Sequence, residues 1–342
     1  MRPHPTISPV PAARRIPPLL QPAPSRRRAA SRWRAAAALL VLALNLAACA
    51  AAPQSCDLVV LAQMPLTTEH NLMFVTAGIN GQPVRLLVDT GAERTVLTEA
   101  TVDRLGLPHD PHHVTRTIGI GGIGTGRDAI IPGITLGGTH FPVERVAVGQ
   151  FAINPTAGAP ADGLLGADIL LAFDVDIDPV TQHLTLYRVR RCPEALPPWT
   201  EPATEVPGVE TRRDRMLLPI VVDGVAGTAI LDTGAQATTL GAAMAQRLGL
   251  STGDLESDHM IMAHGASTNS VAVRVHMFRT LQIGPALVQH PTLAVVPGQT
   301  DMGDGLVGGD FLHGRHVWLS FATRRMFISV RHLDPRVARA LP

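Results

Sequence analysis

An internal repeat is the sequence feature that most constrains how this chain of 342 residues folds. The segment Leu87–Ala92 reads Leu-Val-Asp-Thr-Gly-Ala, and it recurs in the second half of the chain as Ile-Leu-Asp-Thr-Gly-Ala over Ile230–Ala235. Two long copies indicate a duplicated domain and not a solenoid of many short units. The further matches, in the same order, are Thr95 with Thr238, Arg104–Leu107 with Arg247–Leu250 and, after the loss of one residue, Gly163–Asp168 with Gly305–Asp310.

Each copy reads as mainly β structure with one or two short helices. A strand pattern runs into Asn80-Gly81 or Asp223-Gly224, dipeptides that favour two-residue hairpins because both positions accept positive φ. A second strand then ends at the Asp-Thr-Gly. The predicted elements are strands at 72–77 and 217–222, helices at 98–105 and 241–248 with Gly106 and Gly249 as C-caps, and closing strand pairs at 175–187 and 316–330.

The composition argues against a disordered chain and against a nucleic-acid-binding protein. Hydrophobic residues make up 46% and charged residues 17%, which is typical of a globular chain and not of a disordered one. All 29 basic residues are Arg, and eight of them precede residue 49, so residues 49–342 carry 21 Arg against 28 acidic residues, a net charge of −7. A globular part this acidic, without a basic run, argues against nucleic acid as the main partner.

The N-terminal segment is typical of an export signal. A run of arginines ends at Arg34, and an apolar run at 35–44 follows that is too short to span a bilayer comfortably. Leu46-Ala47-Ala48-Cys49 resembles a bacterial lipobox, in which the signal is cut before a cysteine that is then lipidated; the alternative is an ordinary cleavage site. We therefore expect an exported protein, anchored through Cys49 to a bacterial membrane on the periplasmic side. Ala50 resembles a signal for outer-membrane sorting.

Two further cysteines, Cys56 and Cys192, flank the first copy. Export would place them in an oxidising compartment, where a disulfide between them would clasp that copy. The alternative is two unpaired thiols.

Asp89 and Asp232 are the candidate catalytic residues. Each follows a buried type of apolar run at the same place in its copy, so a pseudo-twofold arrangement would bring the two carboxylates together. Two carboxylates in contact share a proton, because ionising both is costly. The ionised one can deprotonate a water molecule while the protonated one hydrogen-bonds a substrate carbonyl, which is general acid–base hydrolysis of an amide.

The neighbours of these aspartates have expected supporting roles. Gly91 and Gly234 would let backbone amides approach the carboxylates. Thr90 and Thr233 would hydrogen-bond across the interface and keep the loops rigid.

Both Asp-Thr-Gly-Ala loops, with the later Leu164-Leu165-Gly166 and Leu306-Val307-Gly308, resemble the motifs of retropepsin-like aspartic proteases. The resemblance covers about residues 70–190 and 212–332. It implies a mainly β fold of two closed acid-protease barrels with the active site at the lobe interface and the later segment packed beneath each catalytic loop. Retropepsins are homodimers with one Asp per subunit, so a chain carrying both halves is expected to be active as a monomer, without a cofactor.

Bilobal pepsin-like enzymes are the other comparison. Against them, the loops carry Ala where pepsins usually have Ser or Thr, and the only tyrosine, Tyr187, is far from a flap position. The resulting boundaries are a signal peptide at 1–48, a tether at 49–69, a first lobe at 70–192, a Pro-rich linker at 193–210 and a second lobe at 211–342.

The copies differ where a substrate-covering flap is expected. The first copy has a Gly-rich stretch at 118–126, typical of a mobile hairpin whose backbone can bond an extended peptide as an added strand. The equivalent stretch at 262–268 has fewer glycines, so we expect the first flap to dominate closure. The candidate flap residues are Ile120, Gly121, Gly122, Ile123 and Gly124 in the first copy and His264 and Gly265 in the second.

Other acidic and histidine residues are assigned no catalytic role. Asp168 and Asp310 recur in both copies and are expected to cap a helix or brace a loop. The segment 109–113 has three histidines in a spacing that fits no familiar metal site, so we expect a solvated loop and no metal. Three further aspartates alternate along one predicted strand and are expected to face solvent: Asp174, Asp176 and Asp178.

The sequence thus predicts an aspartic endopeptidase that hydrolyses a peptide or protein substrate. The alternative is a lipoprotein of the same fold that binds peptide with a silent or gated dyad. A purely structural lipoprotein would leave the duplicated loops unexplained.

Overall fold

The computed structural model describes residues 57–119, 122–149, 160–190, 195–265, 270–298 and 302–329. Within these ranges the chain is mainly β and forms two similar lobes joined by a shared sheet, which confirms the predicted fold class. In that described part no helix has the length and apolar composition needed to cross a membrane.

The first lobe is a ten-stranded sheet with two short helices. The strands are β2 (Thr67–Glu69), β3 (Leu72–Ile79), β4 (Gln82–Val88), β5 (Val96–Thr98), β6 (His109–Gly119), β7 (Gly122–Ile130), β8 (Ile134–Leu136), β9 (Thr139–Phe141), β10 (Arg145–Gly149) and β11 (Gly163–Leu165), and the helices are α1 (Glu99–Leu105) and α2 (Ala167–Leu170). The spatial order of the strands is β6-β7-β10-β5-β11-β4-β3-β8-β9, and β2 pairs with β3.

The second lobe repeats this design. The strands are β15 (Glu210–Arg212), β16 (Arg215–Val222), β17 (Val225–Leu231), β18 (Thr239–Gly241), β19 (His259–His264), β20 (Ser270–Met277), β21 (Thr280–Ile283), β22 (Ala286–Gln289), β23 (Thr292–Val296) and β24 (Gly305–Val307), and the helices are α3 (Ala242–Arg247), α4 (Thr252–Glu256) and α5 (Gly309–Leu312). Their order, β19-β20-β23-β18-β24-β17-β16-β21-β22 with β15 on β16, matches the first lobe strand for strand.

Local sequence signals produce these elements as expected. Asn80-Gly81 and Asp223-Gly224 take positive φ at all four positions, between 49° and 84°, which is the backbone that a two-residue hairpin turn requires. Helix α1 begins after Thr98, whose side chain accepts the Thr101 N–H, and ends at Gly106 in the left-handed conformation.

A six-stranded antiparallel sheet joins the two lobes. Its strands, in spatial order, are β1 (Asp57–Pro65), β13 (His183–Arg190), β12 (Asp174–Asp178), β25 (Val317–Ser320), β26 (Arg325–Ser329) and β14 (Ala203–Val206). Strand β12, from the end of the first copy, pairs with β25 from the end of the second, so Val175 lies opposite Leu319. Buried side chains from both lobes form one continuous hydrophobic cluster with this sheet.

The structure differs from the sequence predictions in several segments. The predicted tether at 49–69 contributes β1 and β2, and the predicted linker at 193–210 contributes β14. The predicted loop at 109–113 is the start of β6, with an irregular register up to Val114. Asp174, Asp176 and Asp178 do not face solvent; they are 3%, 8% and 6% exposed, because β12 is an inner strand covered on both faces.

Candidate active site

The two Asp-Thr-Gly loops occupy equivalent places in the two lobes. Asp89 follows β4 and Asp232 follows β17, and each of these strands runs parallel to a short buried strand, β11 or β24. The backbone N–H of Asp89 donates to the carbonyl of Leu165 at 3.0 Å, and that of Asp232 donates to the carbonyl of Val307 at 2.9 Å. The later apolar-apolar-Gly segments therefore support the loops from beneath.

Thr90 and Thr233 bind the two loops to each other through reciprocal hydrogen bonds. Thr90 Oγ1 donates to the carbonyl of Leu231 at 2.7 Å and accepts the Thr233 N–H at 3.2 Å. Thr233 Oγ1 donates to the carbonyl of Val88 at 2.6 Å and accepts the Thr90 N–H at 3.0 Å. Both side chains are fully buried, so the four bonds are shielded from water and fix the spacing of the loops.

The glycines bring each loop against the opposite carboxylate. A Cβ on Gly234 would lie 2.5 Å from Cγ of Asp89, and a Cβ on Gly91 would lie 2.6 and 2.7 Å from the carboxylate oxygens of Asp232. Only glycine permits such an approach. The two aspartates therefore meet at the lobe interface, where each is half-buried.

Backbone amides orient each carboxylate. Oδ1 of Asp89 accepts the N–H groups of Gly91 at 3.0 Å and Ala92 at 2.9 Å, and Oδ1 of Asp232 accepts the two equivalent amides at 2.9 and 3.1 Å. The other oxygen of each carboxylate is left for its partner and for a reacting molecule.

The pair is arranged to hold one proton. Burial raises the pKa of Asp89, and the negative charge of Asp232 raises it further. Burial also raises the pKa of Asp232, but the N–H of Gly234, the hydrogen bond from Asp89 and the positive charge of Arg215 oppose that rise. The two carboxylates therefore share one proton, with the larger rise in pKa at Asp89.

In both lobes, a recurring aspartate hydrogen-bonds a threonine at the end of the Asp-Thr-Gly loop, and this agrees with the loop-bracing role that the sequence predicted. Oδ1 of Asp168 accepts both the N–H and the hydroxyl of Thr95, at 2.8 and 2.7 Å. Oδ1 of Asp310 accepts the same two groups of Thr238, at 2.9 and 2.8 Å. These recurring aspartates therefore hold the catalytic loops and take no part in the dyad.

A pair of contacts across the lobes breaks the symmetry next to the dyad. Nη2 of Arg215 lies 3.5 Å from Oε1 of Glu93, whereas Gln236, the equivalent of Glu93, accepts at its carbonyl a hydrogen bond of 3.3 Å from the Asn71 side chain. The sequence analysis missed Arg215. The signal was present, because the offset that superimposes the two Asp-Thr-Gly loops also aligns Arg215 with Leu72.

Two hairpins stand at the positions predicted for the flaps. In the first, β6 and β7 pair up to Gly119 and Gly122, and this places Ile123 and Gly124 on β7; Ile120 and Gly121 lie outside the described residues. In the second, β19 ends at His264 and Gly265 follows it. A substrate-covering role for either hairpin stays a prediction.

Both hairpins carry exposed apolar side chains on their strands. Exposed apolar side chains on a hairpin can contact an apolar side chain of a bound peptide. The sequence analysis missed those of the second hairpin because only glycine content was compared. The set is Val114, Ile118 and Ile123 in the first hairpin and Met260, Ile261 and Met262 in the second.

The remaining predicted sites are tested less directly. Cys49, Cys56 and Cys192 lie outside the described residues, although Asp57 and Arg190, the nearest described neighbours of the latter two, face each other in the β1–β13 ladder. In the described part of the chain, no group of three or more His, Cys, Asp or Glu side chains is arranged to hold a metal ion.

Comparison with known proteins identifies relatives of both halves. The family model described as aspartyl protease matches residues 75–169 and again residues 218–311, which is more than half of the chain. DNA damage-inducible protein 1 of Yarrowia lipolytica is 29% identical over 120 residues, which are 34% of this chain and only 28% of that protein. The crystal structure of aspartic proteinase from Irpex lacteus aligns with 81% of this chain and 98% of its own, at 14% identity and a TM-score of 0.47.

Proposed function

Because this chain belongs to the aspartyl protease family, with two retropepsin-like lobes in tandem, we propose that it is an endopeptidase with Asp89 and Asp232 as its catalytic pair. The observation that carries the proposal is the meeting of the two loops. Each glycine lies against the opposite carboxylate, and four buried hydrogen bonds hold that arrangement. A protein that needed only a peptide-binding cleft would have no use for a coupled, half-buried carboxylate pair.

The proposed reaction places the shared proton on Asp89, the carboxyl whose pKa is raised both by burial and by the negative charge of Asp232. Ionised Asp232 takes a proton from a water molecule, whose oxygen attacks the carbonyl carbon of the scissile peptide bond. Protonated Asp89 donates a hydrogen bond, and then its proton, to the carbonyl oxygen. The tetrahedral intermediate collapses as Asp232 returns its proton to the leaving nitrogen and Asp89 recovers its own from the hydroxyl. Because one chain supplies both aspartates, a monomer is sufficient.

The substrate that best fits this site is an extended stretch of peptide. The hairpins β6–β7 and β19–β20 offer strand backbone on both lobes, to which a peptide can add as a further strand. Their exposed apolar side chains favour apolar residues in that peptide. A folded substrate would need to present a loop or an unfolded segment.

The test is hydrolysis of a mixed peptide library by residues 54–342, from acidic to neutral pH. We expect Asp89→Asn and Asp232→Asn each to lower kcat/KM by about 10³-fold or more, because each removes half of an acid–base pair. Asp103→Asn is the matched control, since Asp103 is an exposed carboxylate on α1. Cleavage that survives either dyad variant would refute the proposal, and peptide binding without cleavage by folded wild-type protein would leave a binding protein in its place.

We also propose that the protein is exported and anchored through a lipid on Cys49, on the periplasmic side of a bacterial membrane. The support is the sequence of the leader and the lipobox-like Leu46–Cys49. Full-length protein is expected in the detergent phase of a membrane extract, and Cys49→Ala in the aqueous phase, with Cys56→Ala as the control. A Cys49→Ala protein that stays with the membrane would contradict the anchor.

A further inference from the structure

The stems of the two hairpins differ at one set of equivalent positions. In the first lobe, β10 pairs with β5 and β7, and in the second lobe β23 pairs with β18 and β20. These ladders fix which residues correspond. They align Arg94, Thr115 and Asp128 of the first copy with Ala237, Ile261 and Val275 of the second. Three polar residues therefore stand where the other lobe has three apolar ones.

The three polar residues form a closed hydrogen-bonded set. Arg94 lies in the catalytic loop, shortly after Asp89, and its Nη1 donates to Thr115 Oγ1 at 2.5 Å. Its Nη2 donates to Oδ2 of Asp128 at 3.2 Å, and the Thr115 hydroxyl donates to Oδ1 of Asp128 at 2.6 Å. Thr115 is on β6 and Asp128 on β7, so one guanidinium joins the catalytic loop to both strands of the hairpin.

The setting makes these bonds strong. The Asp128 side chain is 2% exposed, while that of Arg94 is 41% exposed, so the carboxylate is buried and its partner cation reaches it from the surface. A buried carboxylate requires such a partner, and hydrogen bonds between charged groups are stronger than neutral ones. Removing Arg94 would take away the cation and leave the Thr115 hydroxyl to hydrogen-bond the buried carboxylate.

A close backbone crossing lies beside this set. Gly126, which pairs with Thr115, packs so tightly on β10 that a Cβ there would collide with the carbonyl oxygen of Val148. Val148 in turn pairs with Leu97 on β5, the strand that leaves the catalytic loop. The hairpin stem is therefore fixed to the catalytic lobe at two neighbouring points, one by backbone contact and one by Arg94.

We propose that Arg94 is a positioning residue that couples the stem of the β6–β7 hairpin to the loop carrying Asp89. The coupling keeps the distance between the stem and Asp89 fixed. A peptide that binds along the hairpin is therefore held in one register relative to the two aspartates. Among the described residues, the β19–β20 hairpin has no equivalent link to the loop that carries Asp232; Arg274 and His276 of its stem contact the segment Glu256–Asp258 instead. The inference rests on the proposed function for its kinetic consequence, but not for its structural one.

Hydrogen exchange tests the structural part without reference to activity. We expect Arg94→Ala and Asp128→Asn each to speed amide exchange in the stem of the first hairpin by about 10-fold, which is the loss of about one charge-assisted hydrogen bond. Exchange in the β19–β20 stem is expected to stay unchanged. Arg94→Lys, which keeps the charge but not the fork of donors, is expected to fall between the wild type and Arg94→Ala.

Arg116→Ala is the matched control, since Arg116 is the next residue on β6 and is exposed to solvent. Unchanged exchange in Arg94→Ala, or equal acceleration in both hairpins or in Arg116→Ala, would overturn the proposal. A double variant, Arg94→Ala with Asp128→Asn, is expected to exchange no faster than the worse single variant, because both remove the same link.

Peptide kinetics test the second part. For a cleaved peptide, Arg94→Ala is expected to raise KM by about 10-fold and to change kcat less, because the stem positions bound peptide and takes no part in the proton transfers. A loss of kcat alone would overturn the positioning role. If wild-type protein cleaves no peptide, the proposed function fails, and the exchange comparison still decides whether Arg94 couples the hairpin to the loop.

Discussion

The two lobes are nearly identical in the loops that carry Asp89 and Asp232 and differ in residues that surround these loops. At the interface, each loop repeats the same four elements: a parallel strand beneath, a buried Thr bond across, a Gly against the opposite carboxylate and an Asp brace behind. Around the loops, Arg94 of the first copy corresponds to Ala237 of the second, and Leu72 corresponds to Arg215. The repeat has therefore stayed symmetric around the two carboxylates and has diverged in the rest of each copy.

The largest effect is expected from breaking the symmetric part. Thr90→Val removes a buried hydroxyl and leaves the Leu231 carbonyl and the Thr233 N–H without it, so we expect a loss of about 4 kcal/mol in the free energy of unfolding, from two unsatisfied groups. Thr233→Val is expected to cause about the same loss, because it leaves the Val88 carbonyl and the Thr90 N–H without their hydrogen-bond partner. Urea unfolding measures both.

The control for this pair is Thr76→Val, the same change at an exposed position on β3. It is expected to alter stability by less than about 0.5 kcal/mol. If the losses in the free energy of unfolding caused by Thr90→Val and Thr233→Val differ by more than twofold, the two loops do not contribute equally to the interface, in contrast to their matching hydrogen bonds.

The next largest effect on stability is expected in the sheet that joins the two copies. This sheet carries a cluster of charged side chains around His316. His316, 7% exposed and next to β25, places Nε2 at 2.5 Å from Asp176 and Nδ1 at 2.6 Å from Glu201, and its ring stacks on Trp199 at 3.8 Å. Asp178 lies 3.8 Å from the same ring. Both ring nitrogens face carboxylate oxygens, which is the arrangement of an imidazolium.

This cluster predicts a pH-dependent stability. Burial alone would lower the pKa of His316, but the hydrogen bond and charge of Asp176, followed by Glu201 and Asp178, outweigh it and raise the pKa. A histidine whose pKa is higher when folded stabilises the fold below its unfolded pKa of about 6.5, and that contribution is lost as the pH rises through the folded pKa. The free energy of unfolding is therefore expected to fall as the pH rises through and above neutrality.

Replacing the imidazole isolates its contribution. His316→Ala leaves buried carboxylates without their cation, so we expect about 3 kcal/mol of destabilisation at pH 6 and a smaller loss at pH 8. His183→Ala, an exposed histidine on the neighbouring strand β13, is the control. Equal destabilisation by His316→Ala at both pH values would contradict a charged imidazole.

The sequence predicted the symmetric part of the molecule better than the asymmetric part, for physical reasons. The dyad, the Thr and Gly neighbours and the roles of Asp168 and Asp310 come from residues that recur, and recurrence is visible in a single chain. The shared sheet could not be predicted in this way. Strands β12 and β25 lie far apart in the sequence, and the residue pattern of one strand does not indicate which other strand it pairs with. The alternation of Asp174, Asp176 and Asp178 predicted a solvent face, but β12 lies between β13 and β25, and the Trp199 side chain donates to Asp176.

The smallest effect, and the sharpest test of the asymmetry, concerns Arg215. Its charge opposes the rise in the pKa of Asp232, whereas its equivalent in the first copy is the apolar Leu72. Arg215→Leu makes the two copies alike at this position, so the pKa of Asp232 is expected to rise. The proposed reaction needs Asp232 ionised, so the acid limb of the pH profile of kcat/KM should move to higher pH, while the alkaline limb, assigned to Asp89 in that reaction, stays in place.

Two variants separate charge from contact at this position. Arg215→Lys keeps the positive charge and is expected to keep the acid limb where it is. Glu93→Gln removes the carboxylate 3.5 Å from Arg215 but leaves the arginine, so it should not shift the acid limb upward. If Arg215→Leu moves both limbs together, or neither, Arg215 does not distinguish the two aspartates. The backbone amides hold the two carboxylates at nearly the same distances, 3.0 and 2.9 Å for Asp89 against 2.9 and 3.1 Å for Asp232, so such a result would make the dyad symmetric in its electrostatics as well as in its geometry.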